Sequence, residues 1–484
     1  MKILLINPPR WNELVGKNPA IIENNRGFNP PLGLLYLGAS IKKNLDCQLD
    51  ILDTQPLKWK YSKLEEYLKN KDYDVIGIST MTFTLIDVFK TVCAIKKCNL
   101  RAKVVLGGPH VHLFPDETIN LDGVDFLLMG ESEFSFIDFL KYFNTPEFYD
   151  KIPGLVYKND EGKVIKNDFY PVDNLDEIPF PQRGLIGISA YNSLLSKGNC
   201  ATTIITSRGC SFKCAFCDRP LSPITSFLRF RSAENVVEEI SQCVDLGIKD
   251  FLFYDDTFTV NKERTIEICQ QIIKRKLRIR WDIRTRIDVV NDKVLKVLKM
   301  AGCVNVHYGV EAGNDRLLQV LNKGFTIKDV KNTFKITRSA GLETLAYFMI
   351  GLPSQTDSDI VDMMDLIKTL NPSYVHFTIF SPYPGTQLYA LGLEQGIIKS
   401  DVWRDFSRNP MEGFQLPFWE ENFDKDQLYE RIVKCYKHFY LRPSYILSRL
   451  MRINSREELF KKIKAALSVI GMNKNNVNSI NSVN

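Results

Sequence analysis

Three cysteines spaced C-x3-C-x2-C, Cys210-Ser-Phe-Lys-Cys214-Ala-Phe-Cys217, follow the β-like run Ala201-Thr-Thr-Ile-Ile-Thr206 and the turn Ser207-Arg208-Gly209. Thiolates on one short loop can hold a soft metal centre, because sulfur ligands select zinc, Cu(I) or iron–sulfur clusters. A closed structural zinc site takes four protein ligands, yet no His or Cys follows Cys217 before Cys243, which falls inside an expected helix. With three thiolates, one iron of a four-iron cluster stays open to another ligand. A zinc knuckle and unrelated buried thiols are the alternatives at this point.

Other chemistry-bearing residues fall at the carboxyl ends of expected strands. Tyr254-Asp255-Asp256 offers two adjacent carboxylates that could bind a metal, receive an amino group or cap the next helix. Arg286 ends the following strand, where it can meet a carboxylate or make a structural ion pair. His307-Tyr308-Gly309-Val310-Glu311-Ala-Gly313, Met349-Ile350-Gly351-Leu352-Pro353 and Ser381-Pro-Tyr383-Pro384-Gly385-Thr386 end the next three. In the amino-terminal third the strand ends are Asn7-Pro8-Pro9, Ser79-Thr80-Met81, Gly107-Gly108-Pro109-His110 and Gly130-Glu131. Small residues there let a bulky ligand approach the backbone. His110 either touches such a ligand or hydrogen-bonds locally in its turn. No G-x-G-x-x-G stands at the first turn, which disfavours a dinucleotide.

The elements that must position these residues alternate. Residues 1–143 read as strands 2–6, 48–53, 74–78, 103–107 and 125–128 with helices 31–43, 61–70, 84–97 and 133–143, a doubly wound α/β pattern. Ligands of such sheets sit beyond the carboxyl ends of the strands. Residues 144–199 break the rhythm with a hairpin signal, Asn159-Asp-Glu-Gly162, and the extended Glu177-Ile-Pro179-Phe-Pro181, and read as a linker. Residues 200–386 resume with strands 202–206, 250–254, 278–284, 304–309, 343–350 and 374–380, each but the last followed by helix. Six such units are too few to close an eight-stranded barrel. Residues 387–470 read as a helical region (387–398, 424–440 and 443–467), and 471–484 as a low-complexity, disordered tail.

The cysteine loop, with aromatic Phe216 before its last Cys, resembles the radical S-adenosylmethionine (SAM) superfamily. Residues 1–143, with Pro30-Pro31-Leu-Gly33 opening a helix, Gly107-Gly108-Pro109-His110 and Gly130-Glu131-Ser-Glu133, resemble the cobalamin-binding domain fused ahead of such cores. The resemblance implies an α/β fold: a Rossmann-like domain, an open six-stranded partial barrel, and a helical carboxy-terminal region, in which Tyr436-Lys-His-Phe-Tyr440-Leu-Arg442-Pro443 resembles the family's segment covering the barrel. It implies a 4Fe-4S cluster on Cys210, Cys214 and Cys217, and SAM contacts from Phe216, Asp255, Asp256, Arg286, Glu311, Gly351 and Pro353. Cobalamin contacts would come from Asn7, Ser79, Thr80, Gly107, Gly108, His110, Gly130 and Glu131. The D-x-H-x-x-G pattern that supplies an axial imidazole elsewhere is absent, so cobalamin would bind without one.

The activity implied is methyl transfer to an unactivated carbon of a small molecule, through a 5′-deoxyadenosyl radical and methylcobalamin, fed by a low-potential donor such as flavodoxin or ferredoxin. Ring formation or oxidation, as in the cyclase members, is the alternative. A methylthiotransferase is disfavoured, because the first domain lacks an obvious cysteine triad and no basic β-rich module ends the chain. A zinc-stabilised scaffold is the reading from a different class.

Composition fits a multidomain globular chain: 484 residues make two to three domains, 25% of residues are charged and 44% hydrophobic. No export signal or membrane span is evident. Eleven cysteines without such a signal point to a reducing compartment, the cytoplasm, and the eight outside the loop read as packed thiols. Net charge is +6, and the basic run from Lys274 to Arg286 reads as a helix end plus a polar strand face rather than a nucleic-acid surface. Trp403, Phe406, Phe414, Phe418 and Trp419 either pack helices onto the barrel or line a site for an apolar or planar substrate.

Overall fold

A computed structural model describes residues 1–14, 27–193, 200–451, 467 and 469–472. The expected helix 443–467 is described as far as Leu450, and the expected tail lies outside the described residues except for 471–472.

The first sheet contains β1 (Lys2–Asn7), β2 (Gln48–Asp53), β3 (Val75–Ser79), β4 (Lys103–Gly107) and β5 (Phe126–Leu128), all parallel, in the order β2-β1-β3-β4-β5. Strand β1 buries four consecutive residues because both faces are covered. Ile3 and Leu5 pack with α1 (Leu32–Asn44) and α4 (Ser132–Lys141), while Leu4 and Ile6 face α2 (Tyr61–Leu68) and α3 (Leu85–Cys98). The strand order reverses between β1 and β3, and that switch point is where doubly wound sheets bind ligands. Asn7 and Ser79 end the two strands that flank it.

The hairpin signalled by Asn159-Asp-Glu-Gly162 forms β6 (Leu155–Lys158) and β7 (Val164–Lys166), which extend this sheet antiparallel beyond β5. The segment read as a linker thus also supplies two strands of the first domain.

The second sheet has six parallel strands in sequential order and does not close: β8 (Ala201–Ile204), β9 (Asp250–Phe253), β10 (Arg280–Thr285), β11 (Cys303–Glu311), β12 (Glu343–Ile350) and β13 (Tyr374–Ile379). Helices α5 (Ala233–Asp245), α6 (Lys262–Lys274), α7 (Asp292–Met300), α8 (Asp315–Val320), α9 (Ile327–Ser339) and α10 (Asp357–Leu370) cover its outer face. Side-chain caps start the first four of these: Ser232, Asn261, Asn291 and Asn314 each accept a backbone N–H from the first turn. Trp281, Ile283, Val306, Tyr308, Ala346 and Phe348 belong to the core between sheet and helices. By the two-residue period of a strand, Asp282, Arg284, His307 and Tyr347 therefore face inward.

Strand β13 would leave a row of unpaired backbone groups at the open edge. Helices α11 (Gln387–Glu394) and α12 (Val402–Arg408) follow it, and then α13 (Lys425–Tyr440) lies along this edge. The Tyr436 hydroxyl receives Phe377 N–H at 3.1 Å and donates to Phe377 O at 3.0 Å. One turn on, the Tyr440 hydroxyl does the same for Val375, at 3.2 and 2.8 Å. Two phenols thus stand in for a seventh strand. Removing either hydroxyl strands a buried N–H and C=O, so Tyr436→Phe and Tyr440→Phe should each cost about 1–3 kcal/mol. Urea denaturation with an unchanged slope checks this, and a loss below about 0.5 kcal/mol would mean that the edge is satisfied some other way.

Candidate active site

The cysteine loop leaves β8 and is braced on every side. Gly209 takes φ 92° and passes so close to the Phe227 carbonyl that a Cβ would sit 2.1 Å from its oxygen. Cys210 N donates to Thr225 O at 2.8 Å, Ala215 N to Leu321 O at 3.0 Å, and Asn322 Nδ2 to Lys213 O at 2.6 Å. Cys210, Cys214 and Cys217 are all free thiols, partly exposed. Burial pushes the thiols of Cys210 and Cys217 up, the latter to about 12. Thiols in such a setting become ligands by losing their protons to a metal.

Arg286 bears directly on this loop. Its Nη1 donates to Cys214 Sγ at 3.3 Å, and its Nε and Nη2 grip Asp288 at 3.0 and 2.9 Å. Nη2 also donates to Lys323 O, and the guanidinium lies 3.8 Å from the centre of the Phe212 ring. A donor cation aimed at a sulfur suits a thiolate ligand, so the loop fits an iron–sulfur cluster held by Cys210, Cys214 and Cys217. Both earlier options for Arg286 are modified: it makes the ion pair, and its remaining reach is toward the sulfur.

Glu311 ends β11 with φ 73°, a left-handed backbone that costs a non-glycine residue on the order of 1–3 kcal/mol. The strand register shifts between Gly309 and Glu311, and the Glu311 carboxylate folds back so far that a Cβ on Gly309 would lie 2.3 Å from it. A Cβ on Gly313 would meet the Met363 backbone of α10, also at 2.3 Å. These two contacts are the physical content of the G-x-E-x-G spacing. Lys323, itself buried, pairs with Glu311 at 3.3 Å and lies 5.4 Å from the centre of the Phe216 ring. Burial pushes the Glu311 carboxyl up, and the Lys323 ammonium opposes the shift.

The two adjacent aspartates separate. Asp255 is 1% exposed, and its oxygens are taken by Thr206 N at 2.7 Å, by the Thr206 hydroxyl and by the Ser207 hydroxyl at 2.7 Å. The expectation that Asp255 meets SAM is corrected accordingly: it ties β9 to the start of the cysteine loop. Asp256 is exposed and pairs with Arg219, just past Cys217, at 3.1 Å. Gly351 (φ 82°) and Pro353 are buried, and a Cβ at 351 would meet Leu428 of α13 at 2.8 Å.

At the switch point of the first sheet, Ser79 is partly exposed, while Asn7 Nδ2 donates to Asp53 at 2.9 Å. Gly107 and Gly108 are partly exposed, and Gly108 (φ 112°) would drive a Cβ to 2.7 Å from Thr80 O. Thr80 is buried, its N–H bound to Gly107 O at 2.7 Å. Helices α1, α3 and α4 begin without a side-chain cap; Leu32 N and Leu85 N, the first of α1 and α3, donate to Pro30 O and Thr82 O, and the N–H groups that follow in each first turn meet no capping side chain, an arrangement that suits an anionic ligand tail. This edge fits a cobalamin nucleotide, which Ser79, Gly107, Gly108 and the α1 and α4 starts would hold.

Three residues named for cobalamin, His110, Gly130 and Glu131, are engaged elsewhere. His110 is fully buried, 3.0 Å from the Thr82 hydroxyl, and burial holds its ring down to about 3, neutral at any working pH. The local hydrogen bond expected of it is made through Nδ1. Glu131 receives both Arg229 Nη1 and Nη2 at 2.8 Å and Val172 N at 2.7 Å, with Arg208 at 3.4 Å. Burial would raise its carboxyl, but the Arg229 hydrogen bonds and the Arg208 charge hold it below the usual range. Glu133 adds a 2.5 Å contact to Arg208. The Gly130-Glu131-Ser-Glu133 segment is therefore a clamp between the first domain and the approach to Cys210. Gly130 belongs to it: its N–H donates to His112 Nδ1 at 3.0 Å, and a Cβ would crowd Phe169 at 3.0 Å.

Lys323 and its neighbours are absent from the sequence-based expectations; the turn-forming Asn322-Lys-Gly324 is the one local signal there. The basic run disperses: Arg275 pairs with Glu234 and Glu238, Arg280 with Asp250, Arg284 faces the barrel interior and Arg286 the cysteines. Trp403 and Phe406 are buried in the core of the first domain, and Phe418 and Trp419 in that of the second. The aromatic set is packing, which removes the hint it gave of a planar substrate. No helix among the described residues is long and apolar enough to cross a membrane.

Comparison with known proteins bears on the same two regions. A family model for the radical SAM superfamily matches residues 204–367, and one for the B12 binding domain matches residues 19–139. An uncharacterized methyltransferase of Pyrococcus horikoshii is 32% identical over 451 residues, 92% of this chain and 94% of that protein. The anaerobic magnesium-protoporphyrin IX monomethyl ester cyclase of Rubrivivax gelatinosus is 25% identical over 86% of this chain and 75% of its own. The solved radical SAM methyltransferase TsrM of Kitasatospora setae, with cobalamin and a 4Fe-4S cluster bound, superposes with a TM-score of 0.66 at 17% identity, over 82% of this chain and 79% of that one, and so shares its fold. A relative matched over nine-tenths of both chains at nearly one residue in three, together with the three-cysteine loop and the two family models, settles the family: the chain belongs to the radical SAM enzymes that carry a cobalamin-binding domain.

Proposed function

We propose that the protein is a cobalamin-dependent radical SAM methyltransferase acting on an unactivated carbon of a small molecule. The observation that carries this reading is the braced three-thiol loop, with Arg286 aimed at Cys214 and the strained Glu311 beside it, facing a sheet edge of uncapped helices in the first domain. The similarity to the Pyrococcus horikoshii methyltransferase supports methyl transfer in particular. When bound, the cluster and SAM supply a 5′-deoxyadenosyl radical and cobalamin carries the methyl group.

The chain's own residues have separable duties. Cys210, Cys214 and Cys217 hold the cluster, and Asp256, Glu311 and Lys323 present charge to the amino, ribose and carboxylate groups of SAM. Phe216, Gly351 and Pro353 offer apolar surface to the adenosyl part. The Glu131–Arg229 clamp fixes the first domain against the loop that precedes Cys210, so that the two cofactor sites share one frame. A low-potential flavodoxin or ferredoxin of the cytoplasm would supply the electron.

Ring formation is the second reading, favoured by the similarity to the Rubrivivax gelatinosus cyclase. Product ratios separate the two. Anaerobic protein with cobalamin, SAM, reductant and the small-molecule fraction of its own cells should yield S-adenosylhomocysteine and 5′-deoxyadenosine in equal amounts under methyl transfer. Cyclisation would give 5′-deoxyadenosine alone.

In the first domain His110 is fully buried with Nδ1 on the Thr82 hydroxyl, His112 Nδ1 takes the Gly130 N–H, and burial lowers both rings, His112 to about 4. The Co(II) form should therefore show no protein nitrogen on cobalt by electron paramagnetic resonance. Superhyperfine splitting that changes when the protein is labelled with nitrogen-15 would overturn this, and a chain that binds no cobalamin would remove the domain's assignment.

A further inference from the structure

The inner face of the second sheet carries a charge to which the roles proposed above for cluster, SAM and cobalamin assign nothing. Asp282 on β10 lies 3.5 Å from His307 Nε2, which Asn305 Nδ2 also meets at 3.0 Å. Glu311 is paired with Lys323. Arg284, two residues after Asp282 on the same face, is exposed, and its guanidinium has no ion pair or hydrogen bond among the described residues. It lies instead 4.0 Å from the centre of the Tyr254 ring, and Asn29 Nδ2 pins that ring by donating to its hydroxyl at 2.8 Å.

Tyr347, two strands away, completes the surroundings. Its hydroxyl is 3.1 Å from His307 Nδ1, and its ring meets the His376 ring edge-on at 5.6 Å. Burial raises its hydroxyl above the ordinary range, and the Arg284 charge acts against that rise, so the two groups share one space. A guanidinium cannot shed its proton, and its planar fork matches a carboxylate or phosphate. Held on an aromatic face with no counter-charge, it is complete only when a ligand brings the anion.

We propose that this inner face is the substrate site and takes an anionic small molecule, its carboxylate or phosphate on Arg284 and its body beside the Tyr254 and Tyr347 rings. The enzyme reading above makes that ligand a substrate; the anion preference follows from Arg284 alone.

The test uses the full chain with its cluster and saturating SAM, so that any position taken by the SAM carboxylate is already filled. Benzoate and phenyl phosphate serve as anionic probes and benzamide as the neutral isostere of the first, each measured by equilibrium dialysis. The better anion should bind at least tenfold more tightly than benzamide, and the order of benzoate and phenyl phosphate tells carboxylate from phosphate. Arg284→Gln should bring the anions within twofold of benzamide with SAM affinity unchanged, while Arg284→Lys, which keeps the charge, should keep part of the preference. Equal binding of all three probes to the wild type, or a preference that survives in Arg284→Gln, overturns the proposal. A tenfold loss of SAM affinity in Arg284→Gln does so too, by giving the guanidinium to SAM. If no cluster assembles, the enzyme reading fails instead, and the same probes on the chain without SAM still decide the anion site.

Discussion

Replacing Cys210, Cys214 and Cys217 together with alanine should abolish both iron binding and SAM cleavage and leave the fold intact. The fold survives because the loop is held by its backbone: Cys210 N on Thr225, Ala215 N on Leu321 and Leu388 N on Ala215 O at 3.0 Å involve no thiol. The three side chains are only partly buried, so truncation opens no large core cavity, and the expected stability change stays within about 1 kcal/mol. Iron loss is complete because the loop has no substitute: the next cysteine, Cys243, is buried in the helical layer behind β8. Iron per chain after anaerobic reconstitution, 5′-deoxyadenosine formation and circular dichroism are the three measurements. Iron retained by the triple variant would show that the ligands lie elsewhere. Zinc in place of iron in the unaltered protein would restore the scaffold reading.

Why that loop was legible in the sequence and much of its surroundings was not has a physical cause. Ligand spacing is local, so C-x3-C-x2-C survives in one dimension, as does the succession of strand-like and helix-like segments that marks β1 through β5 and the six strands of the barrel. What an isolated residue does at a strand end depends on partners far along the chain. Asp255 and Asp256 look alike in sequence, yet the backbone turns one toward Thr206 and Ser207 and the other toward Arg219. Glu131 reads as a ligand-edge carboxylate until Arg229, 98 positions later, folds onto it. Lys323 carries no pattern at all, because its role comes from the return of a turn to a loop more than a hundred residues earlier. The aromatic residues after 400 were ambiguous for the same reason: nothing local tells Trp403 that its pocket is the core of the first domain.

Arg286→Gln should lower the midpoint potential of the cluster. A positive donor on a cluster sulfur stabilises the reduced, more negative form, and hydrogen bonds to sulfur and burial are the levers that set such potentials. Arg286 combines both, since it is 7% exposed and its Nη1 reaches Cys214 Sγ at 3.3 Å. The Asp288 fork and the Phe212 face fix its orientation, so the contact cannot drift into solvent. A tenfold fall in the ratio of reduced to oxidised cluster at fixed potential corresponds to about 59 mV for one electron, and the Gln variant should move by on the order of that amount. Arg286→Lys keeps the charge but loses the fork, and should fall between the two. Asp288→Asn, which removes the carboxylate that offsets the guanidinium, should shift the potential the other way, upward, by less. A redox titration followed by electron paramagnetic resonance measures all four proteins without substrate or turnover. The competing role, a contact to the SAM carboxylate, predicts the opposite pattern: weaker SAM binding at an unchanged potential. That pattern in Arg286→Gln would move Arg286 from the cluster's surroundings to the SAM site.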